Sequence, residues 1–500
     1  MKPIPIIDLF AGPGGLNEGF GAVVDSSGRF VFETALSVEN DAFAHQTLEL
    51  RALYRRMRKD ERVSEYNSYV RGDITRATLF EKAGRLADEA RREALLAALG
   101  ESISTSREIE DLIEDALTAA CTREFVLIGG PPCQAYSLVG RARRRNEDRH
   151  EFEKDPKQRL YREYLRIVRR FKPVVFLMEN VPGLLSAKLG GARTFDLICE
   201  GLSGAGYDLH PLPESDHVLF AGCRNYPRRF IVDAEEYGVP QARSRVFILG
   251  LRSDLNLKSR ALTRSTKPPV PIEDVIGDLP AIRSRLSREE DSGIRWRDEI
   301  VRVTEYKFPG VPDPLRRLLT SYAATLDPAL PLGGRFIGAE TRPGKLASWL
   351  NGDRIGGVLN HNSRRHMASD LRRYFFWATY GRIMGRSPAL AEVPAHMRPN
   401  HLNVSGDATR LPFADRFRVQ VAGRPSTTIT SHIAKDGHYY IHYAPDQCRS
   451  LSVREAARLQ TFPDGYFFEG PVTKQYLQVG NAVPPFLAKQ IGDLVASILK

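Results

Sequence analysis

A single cysteine, Cys133, follows two prolines in the stretch GGPPCQAYS (129–137), directly after the apolar run FVLIGG. A cysteine nucleophile must be exposed, held still and partly ionised. The prolines stiffen the approach to Cys133, and the end of a buried strand would place it in the crevice where open α/β sheets bind ligands. The simpler interpretation of this cysteine is a small buried thiol.

Charged side chains near the ends of two other predicted strands could assist such a nucleophile. Glu179 ends the run PVVFLME, and Arg243 and Arg245 stand in VPQARSRVF, ahead of another apolar run. Together with Cys133 they would supply a nucleophile, a proton donor and an anion-stabilising cation. Taken singly, Glu179 could start a helix, and the arginines could be surface or phosphate-binding residues.

A glycine-rich turn in DLFAGPGGLNEGF (8–20) follows the first predicted strand. Its glycines, Gly12 and Gly14, would let a ligand approach the main chain. The dinucleotide pattern G-x-G-x-x-G fails because residue 17 is Asn, so the turn suits a nucleoside without a pyrophosphate. Phe10 could face a cation such as a sulfonium. A plain tight turn remains the alternative.

Two acids complete the pattern of an adenosine pocket. Glu39 ends the second predicted strand, where acidic side chains accept from ribose hydroxyls in nucleotide-binding sheets. Asp73, in RGDIT, could end a third strand and accept from an adenine amino group. Either acid alone is more often a surface charge.

The elements that position these residues alternate along the first half of the chain. Apolar runs at 4–10, 32–38, 125–130, 173–179 and 245–251 alternate with helical stretches, which predicts an α/β fold with a doubly wound, mostly parallel sheet. We interpret 76–124 as a helical insertion forming a peripheral hairpin. The predicted domains are 1–251 for catalysis, 252–448 as a second, smaller, loop-rich domain, and 449–500 as a return to the first.

Composition describes a globular chain with an uneven charge. The 500 residues are 42% hydrophobic and 27% charged, with a net charge of +11. Between residues 251 and 448, Lys and Arg number 30 against 20 Asp and Glu, so this one segment carries nearly all the excess positive charge. A polyanionic partner such as nucleic acid, or merely a solvated basic surface, would account for it.

Cysteine usage and hydropathy exclude other classes of protein. The five cysteines are odd in number and form no C-x-x-C pair or Cys/His cluster, so we predict neither a disulfide framework nor a metal site. No apolar run reaches the length of a membrane span, and the start of the chain lacks the features of a leader peptide. We therefore expect a cytoplasmic protein without a membrane association.

Eight stretches, in order, resemble the motif set of the DNA cytosine-5 methyltransferases of the bacterial, restriction-modification kind. They are DLFAGPGG, VEND, GDIT, GGPPCQAYS, MENV, VPQARSRVF, SVREAARLQTFPD and QVGNAVPP. The resemblance covers about residues 4–251 and 449–500. It implies a Rossmann-like, S-adenosylmethionine-dependent methyltransferase fold, with the basic segment 252–448 as the target-recognition domain.

Carried over residue by residue, the resemblance implies a mechanism. Cys133 would attack C6 of a flipped cytosine, Glu179 would hold or protonate the ring at N3, Arg245 would lie near the ring oxygen, and Arg243 would support the site. Residues assigned to S-adenosylmethionine are Phe10, Gly12, Gly14, Gly15, Glu39, Asp73, Pro132 and Asn481. The arginine-rich stretch 140–152 is a candidate closing loop.

The resemblance also implies partners. We expect a monomer that acts on duplex DNA in the bacterial cytoplasm or nucleoid, with a cognate restriction endonuclease encoded nearby. The stretch 416–443 mixes Arg, Thr and Tyr in a way that suits phosphate and base contacts, although parts of it alternate like a scaffold strand. The alternatives are a tRNA cytosine-5 methyltransferase and a catalytically silent DNA-binding module.

Overall fold

A computed structural model describes residues 2–132, 160–189, 191–214, 226–306, 311–352, 355–398 and 417–500. Its centre is a sheet for which the described residues supply eight strands. They are β1 Ile4–Leu9, β2 Phe32–Glu39, β3 Ala94–Leu96, β4 Val126–Gly129, β5 Val175–Asn180, β6 Tyr207–His210, β7 Ile231–Asp233 and β8 Ser244–Arg252.

The sheet is mostly parallel, as the sequence predicts. Its order is β3-β2-β1-β4-β5-β8-β6, with β7 also pairing with β8. Strands β1 to β5 run parallel, whereas β8 runs antiparallel to β5, β6 and β7. The carboxyl ends of β1, β2, β4 and β5 therefore share one edge with the start of β8, and that edge is where open α/β sheets bind ligands.

Helices cover both faces of this sheet. Those of the first half are α1 Gly15–Phe20, α2 Ala42–Lys59, α3 Val63–Arg71, α4 Arg76–Ala83, α5 Arg85–Glu93, α6 Ile103–Ala119, α7 Leu160–Phe171 and α8 Thr194–Ser203. One apolar core joins the sheet to α6, α7 and α8, and another joins its opposite face to α1 and the last helix of the chain. This is the doubly wound arrangement that the alternating elements predict.

The segment 76–124 differs from the predicted peripheral hairpin. It contains β3, which pairs in parallel with β2 from Ser37↔Ala94 to Glu39↔Leu96. It also contains α6, whose Ile109, Ile113 and Leu117 lie in the main core. The three residues of β3 have side chains that favour helices, and they follow α5 without a break, so pairing with β2 decides their conformation.

The prediction that Asp73 ends a third strand is wrong. Gly72, with φ 95°, ends α3 in the left-handed conformation, and the N–H of Asp73 donates to the carbonyl of Ser68. The side chain of Thr75 then caps α4 by accepting from the N–H of Thr78 at 3.1 Å. RGDIT is therefore a connection between two helices, and Asp73 is exposed on it.

The second half of the chain is irregular around a compact core. Its helices are α9 Glu273–Ile276, α10 Gly293–Val301, α11 Asp313–Ala324, α12 Ala347–Leu350 and α13 Ala368–Met384, and its short strand pairs are Gly333–Ile337 with Val358–Asn362 and Arg285–Leu286 with Arg365–His366. Helix α13 buries Tyr374, Phe375, Phe376 and Trp377 in succession. The middle of this helix, residues 374–381, is buried on every side and forms the centre of a core around which α10 and α11 pack.

The last fifty residues join the two halves. Helices α14 Val453–Leu459 and α15 Val472–Asn481 pack with residues 270–279 and 429–440, whereas α16 Pro485–Ile498 packs under the sheet. A short parallel ladder of Gln241–Ala242 with Ser426–Thr427 adds a second connection beside the start of β8. None of the described helices is long and apolar enough to cross a membrane.

Candidate active site and ligand pocket

The glycine turn between β1 and α1 lies at the carboxyl edge of the sheet. Phe10, Gly12 and Gly14 all have positive φ, at 57°, 58° and 91°. A Cβ at Gly12 would have no atom within 4 Å, so open space lies against the main chain there. The turn can therefore accept a ligand at close range, which a side chain at Gly12 would occupy.

The C-terminal segment closes tightly on the other side of this turn. A Cβ at Gly15 would lie 2.2 Å from the carbonyl oxygen of Val483, and one at Gly19 would lie 2.4 Å from Cβ of Ala488. The stretch VGNAVPP is thus brought next to the turn by α15 and α16. The side chain of Asn481 is exposed at the end of α15, two residues before Val483.

Glu39 lies across from the turn at the end of β2. Its Oε2 accepts from the N–H of Gly12 and its Oε1 from the N–H of Asp41, both at 2.8 Å. Burial raises the pKa of this carboxyl, although those two main-chain donors lower it. Each carboxylate oxygen retains a further lone pair, so Glu39 can still accept from a ligand hydroxyl.

A second acid beneath the turn, Asp8, was missed by sequence reasoning. It is 1% exposed, and neither carboxyl oxygen has a hydrogen-bond partner among the described residues. Burial, together with the charge of Glu39, raises the pKa of Asp8 well above its ordinary value. An aspartate within the otherwise apolar PIIDLF was the available signal.

Glu179 and Arg245 form a pair at the adjacent strand ends. Nε of Arg245 lies 3.0 Å from Oε1 of Glu179, and the two side chains are only 12% and 13% exposed. Burial raises the pKa of Glu179, while the charges of Arg245 and Arg243 lower it. A carboxyl under these opposed influences can hold a proton in one step and release it in another.

The main chain that leads to Cys133 passes close to Glu179. A Cβ at Gly130 would lie 3.0 Å from Oε2 of Glu179. The side-chain amide of Asn180 donates to the carbonyl of Pro131 at 3.2 Å, and Pro132 is partly buried. Cys133 follows directly, and it lies outside the described residues, as does the predicted closing loop at 140–152.

Arg243 is buried near the pair rather than exposed at the edge of the sheet. It is 1% exposed, and its guanidinium donates to the carbonyls of Ile429 at 2.6 Å and Ala482 at 2.8 Å. Burial and the nearby charge of Arg245 lower its pKa well below the ordinary value. It ties the start of β8 to the second half and to the C-terminal segment, so it supports the site from behind.

Gln241 and Tyr466 also connect distant parts of the chain, and nothing in the sequence marks either residue for this role. The side chain of Gln241 accepts from the N–H of Ile429 at 2.8 Å and donates to the carbonyl of Leu459 at 3.1 Å. The hydroxyl of Tyr466 donates to the carbonyl of Pro13, 453 residues away along the chain.

Within 417–443, Tyr440 is buried and its hydroxyl forms a hydrogen bond with the hydroxyl of Thr430, which favours the interpretation of that tyrosine as part of a scaffold strand. The described residues contain no cluster of His, Cys, Asp and Glu that could hold a metal ion.

Comparison with known families gives a match over most of the chain. A family model described as C-5 cytosine-specific DNA methylase matches residues 109–310 and 377–496. These two ranges include β4, the strands β5 and β8 that carry Glu179 and Arg245, and most of the helices α14 to α16.

Individual relatives agree with the family match. The chain is 32% identical over 510 residues to the type II methyltransferase M.Bpa9945I of Bacillus paralicheniformis, covering 99% of both chains. It is 30% identical to the type II methyltransferase M.AgeI of Thalassovita gelatinovora, covering 77% of this chain and 85% of that one. A crystal structure from E. coli, described as a DNA modification methyltransferase encoded within a prophage, has a TM-score of 0.53 at 19% identity and 99% coverage of both chains, and supports the fold.

Proposed function

The chain belongs to the C-5 cytosine-specific DNA methylase family, and we propose that it methylates C5 of a cytosine flipped out of duplex DNA, with S-adenosylmethionine as donor. As a DNA cytosine-5 methyltransferase of the restriction-modification type it acts on DNA. The covalent route through Cys133, the extruded base and the identity of the donor are the proposed part.

The pair of Glu179 and Arg245 carries this proposal. C6 of an unactivated cytosine is a poor electrophile, so attack by a thiolate needs the ring to accept charge. Glu179 in its protonated form would donate to N3, and Arg245 would donate to the ring oxygen. Gly130 and Asn180 hold the approach to Cys133 beside these groups.

The proposed reaction forms one bond between the sulfur of Cys133 and C6 of the cytosine, and later breaks it. The thiolate of Cys133 adds to C6 while N3 takes a proton from Glu179, leaving an electron-rich C5. S-adenosylmethionine, when bound, supplies the methyl group for C5. Water then takes the C5 proton, the electrons of that C–H bond form the C5–C6 double bond, and the bond from sulfur to C6 breaks, which restores the aromatic ring and frees the thiolate. Glu179 recovers its proton as N3 loses it.

The residues of the glycine turn fit such a donor. Open space at Gly12 would admit the ligand against the main chain, and Glu39 has acceptor capacity left for ribose hydroxyls. Phe10, half-buried at the turn, has a ring face suited to a sulfonium. Asp8 is a further acid beneath the same turn. Asp73 lies exposed between two helices and not at the end of a strand, so the position from which it was expected to contact the adenine is absent.

The target strand would bind between the two halves of the chain. We propose residues 1–251 and 449–500 as the catalytic part and 252–448 as the target-recognition part, since the latter carries a net charge of +10. Its core around α13 is separate from the cores of the sheet. We further propose a monomer, with a cognate restriction endonuclease as its partner system.

Bisulfite sequencing of DNA from cells that express the chain tests this function directly. Protection of cytosine at one recurring sequence, lost in the Glu179→Gln variant, is the expected result. Methyl transfer in vitro should proceed on duplex DNA and fail on tRNA. Unprotected DNA together with labelled tRNA would overturn the proposal in favour of an RNA methyltransferase.

A further inference from the structure

Tyr466, in the C-terminal stretch 449–500, contacts the glycine turn between β1 and α1. It stands in the loop between α14 and α15, is 1% exposed, and its hydroxyl donates to the carbonyl of Pro13. A Cβ at Gly14 would lie 3.1 Å from that hydroxyl and 2.8 Å from Cδ2 of Leu48. The phenol therefore covers the left-handed end of the turn.

The fully buried guanidinium of Arg454, on α14, holds the main chain at Tyr466 in place. Arg454 donates to the carbonyl of Tyr466 at 2.6 Å, to that of Pro463 at 3.1 Å and to that of Leu359 at 2.8 Å. Arg458 pairs with Asp464 in the same loop at 2.8 Å. Through the carbonyl of Leu359, Arg454 also connects this loop to the segment 252–448.

The opposite side of the phenol rests on the first half. The guanidinium of Arg51, on α2, lies 4.9 Å from the ring centroid of Tyr466 and pairs with Glu18 of α1 at 2.6 Å. Glu18 stands four residues after Gly14, and its N–H donates to the carbonyl of Gly14 at 2.8 Å. Tyr466 consequently joins the turn, the helix that follows it and α2.

We propose that Tyr466 is a positioning residue that orders the glycine turn for the methyl donor, which rests on the proposed function. A ligand binds less tightly to a turn of glycine and proline that is flexible when free, because part of the binding free energy is spent on ordering the main chain. The hydrogen bond to Pro13 holds this turn in its binding conformation beforehand. A residue of the C-terminal stretch 449–500 thereby sets the affinity of the glycine turn for the cofactor.

The variant Tyr466→Phe removes only the hydroxyl and tests the proposal. Calorimetry should show the Kd for S-adenosylmethionine and for S-adenosylhomocysteine rising roughly tenfold, the scale of one lost hydrogen bond. The KM for the donor should rise by the same factor with kcat little changed. Amide exchange in the free protein should quicken at 11–15, which needs no ligand.

Tyr207→Phe is the matched control. Its hydroxyl also donates to a proline carbonyl, that of Pro173 at 2.7 Å, and the side chain is 2% exposed, but it lies at the opposite end of the sheet from the turn. Both variants should lose similar thermal stability, and only Tyr466→Phe should bind the donor more weakly. An unchanged Kd in Tyr466→Phe, or an equal rise in Tyr207→Phe, overturns the proposal. Failure of the unaltered protein to bind either ligand would instead refute the proposed function.

Discussion

Nε of Arg245, at the start of β8, lies 3.0 Å from Oε1 of Glu179, at the end of β5. Two neighbouring antiparallel strands bring these groups together, with Phe247 paired to Glu179 in the ladder. The pair is nearly removed from water, so the guanidinium acts strongly on the charge of the carboxyl. Burial raises the pKa of Glu179 and the guanidinium lowers it.

Removing the guanidinium should therefore move the pH profile. In Arg245→Gln the favourable charge beside the carboxylate is gone, so the pKa of Glu179 should rise further. The limb of the single-turnover rate that falls with rising pH should shift to higher pH, while the maximum falls about a hundredfold or more. A limb that stays in place would contradict Glu179 as the proton donor.

Glu179→Gln should abolish that limb. The amide keeps the shape of the side chain but cannot exchange a proton in this range, and the rate should fall by about 10²–10⁴. The pH–rate profile of single-turnover methyl transfer is the measurement, and unaltered binding of the methyl donor by calorimetry is the control.

Cys133→Ser should eliminate methyl transfer and spare cofactor binding, because a neutral hydroxyl is a far weaker nucleophile than a thiolate. On DNA that contains 5-fluorocytosine the unaltered protein should remain covalently attached, since C5 then carries no removable proton. Mass spectrometry would detect this adduct. Cys121→Ser, at an exposed cysteine, should retain both activity and adduct.

Binding to DNA should weaken steeply with salt, since 252–448 carries the excess positive charge. Each phosphate neutralised contributes a slope of about −0.9 in log K against log salt concentration. Fluorescence anisotropy with a labelled duplex between 50 and 200 mM salt measures the slope. A flat dependence would exclude phosphate contacts as the main source of affinity.

Gly15→Ala should destabilise the protein by about 1–3 kcal/mol, the range for overpacked positions. The new Cβ would lie 2.2 Å from the carbonyl oxygen of Val483, and main-chain atoms cannot rotate away. The midpoint of urea unfolding is the measurement. Gly338→Ala, where a Cβ would have no atom within 4 Å, should leave the midpoint unchanged.

His361 should make the fold sensitive to acid. The pKa of this buried imidazole is lowered to about 4, first by burial, with Glu455 opposing and Arg449 reinforcing the shift. Its Nδ1 lies 2.8 Å from Oγ of Ser452 and its Nε2 lies 2.9 Å from the carbonyl of Pro280. A carbonyl only accepts, so Nε2 carries the proton of the neutral ring and Nδ1 accepts from the serine.

The unfolded chain takes up a proton at this histidine near pH 6.5, before the folded chain does, so stability should fall as pH drops from 6.5 towards 4. The full effect is about 3 kcal/mol. Urea midpoints measured across that range should show a shallower slope in His361→Gln than in the unaltered protein. His432→Gln, at a partly exposed ring, should keep the original slope.

The strands that carry the site follow from local sequence. Runs such as IPIIDLF and FVLIGG are apolar, short and bounded by turn residues, which favours buried strands. The Glu179 and Arg245 pair, the glycine turn and the parallel sheet could be anticipated for this reason. The position of Asp73 could not be anticipated, because the preceding Gly72 ends a helix here and not a strand. Strand β3 could not be anticipated either, because the tripeptide Ala94–Leu96 has no local preference for a strand.

The tertiary structure alone decided how the halves of the chain meet. Pro13 and Tyr466 lie 453 residues apart, and Arg243 and Ala482 lie 239 residues apart, yet each pair shares a hydrogen bond. The acceptor in each of these bonds is a main-chain carbonyl, which every residue has. The pattern of side chains therefore does not indicate which carbonyl will lie within reach, because that depends on how distant segments pack. The sequence by itself determined which chemical groups are present and which strands present them, because both depend on nearest neighbours in the chain. Their alignment into one pocket depends on long-range packing, which only the folded molecule supplies.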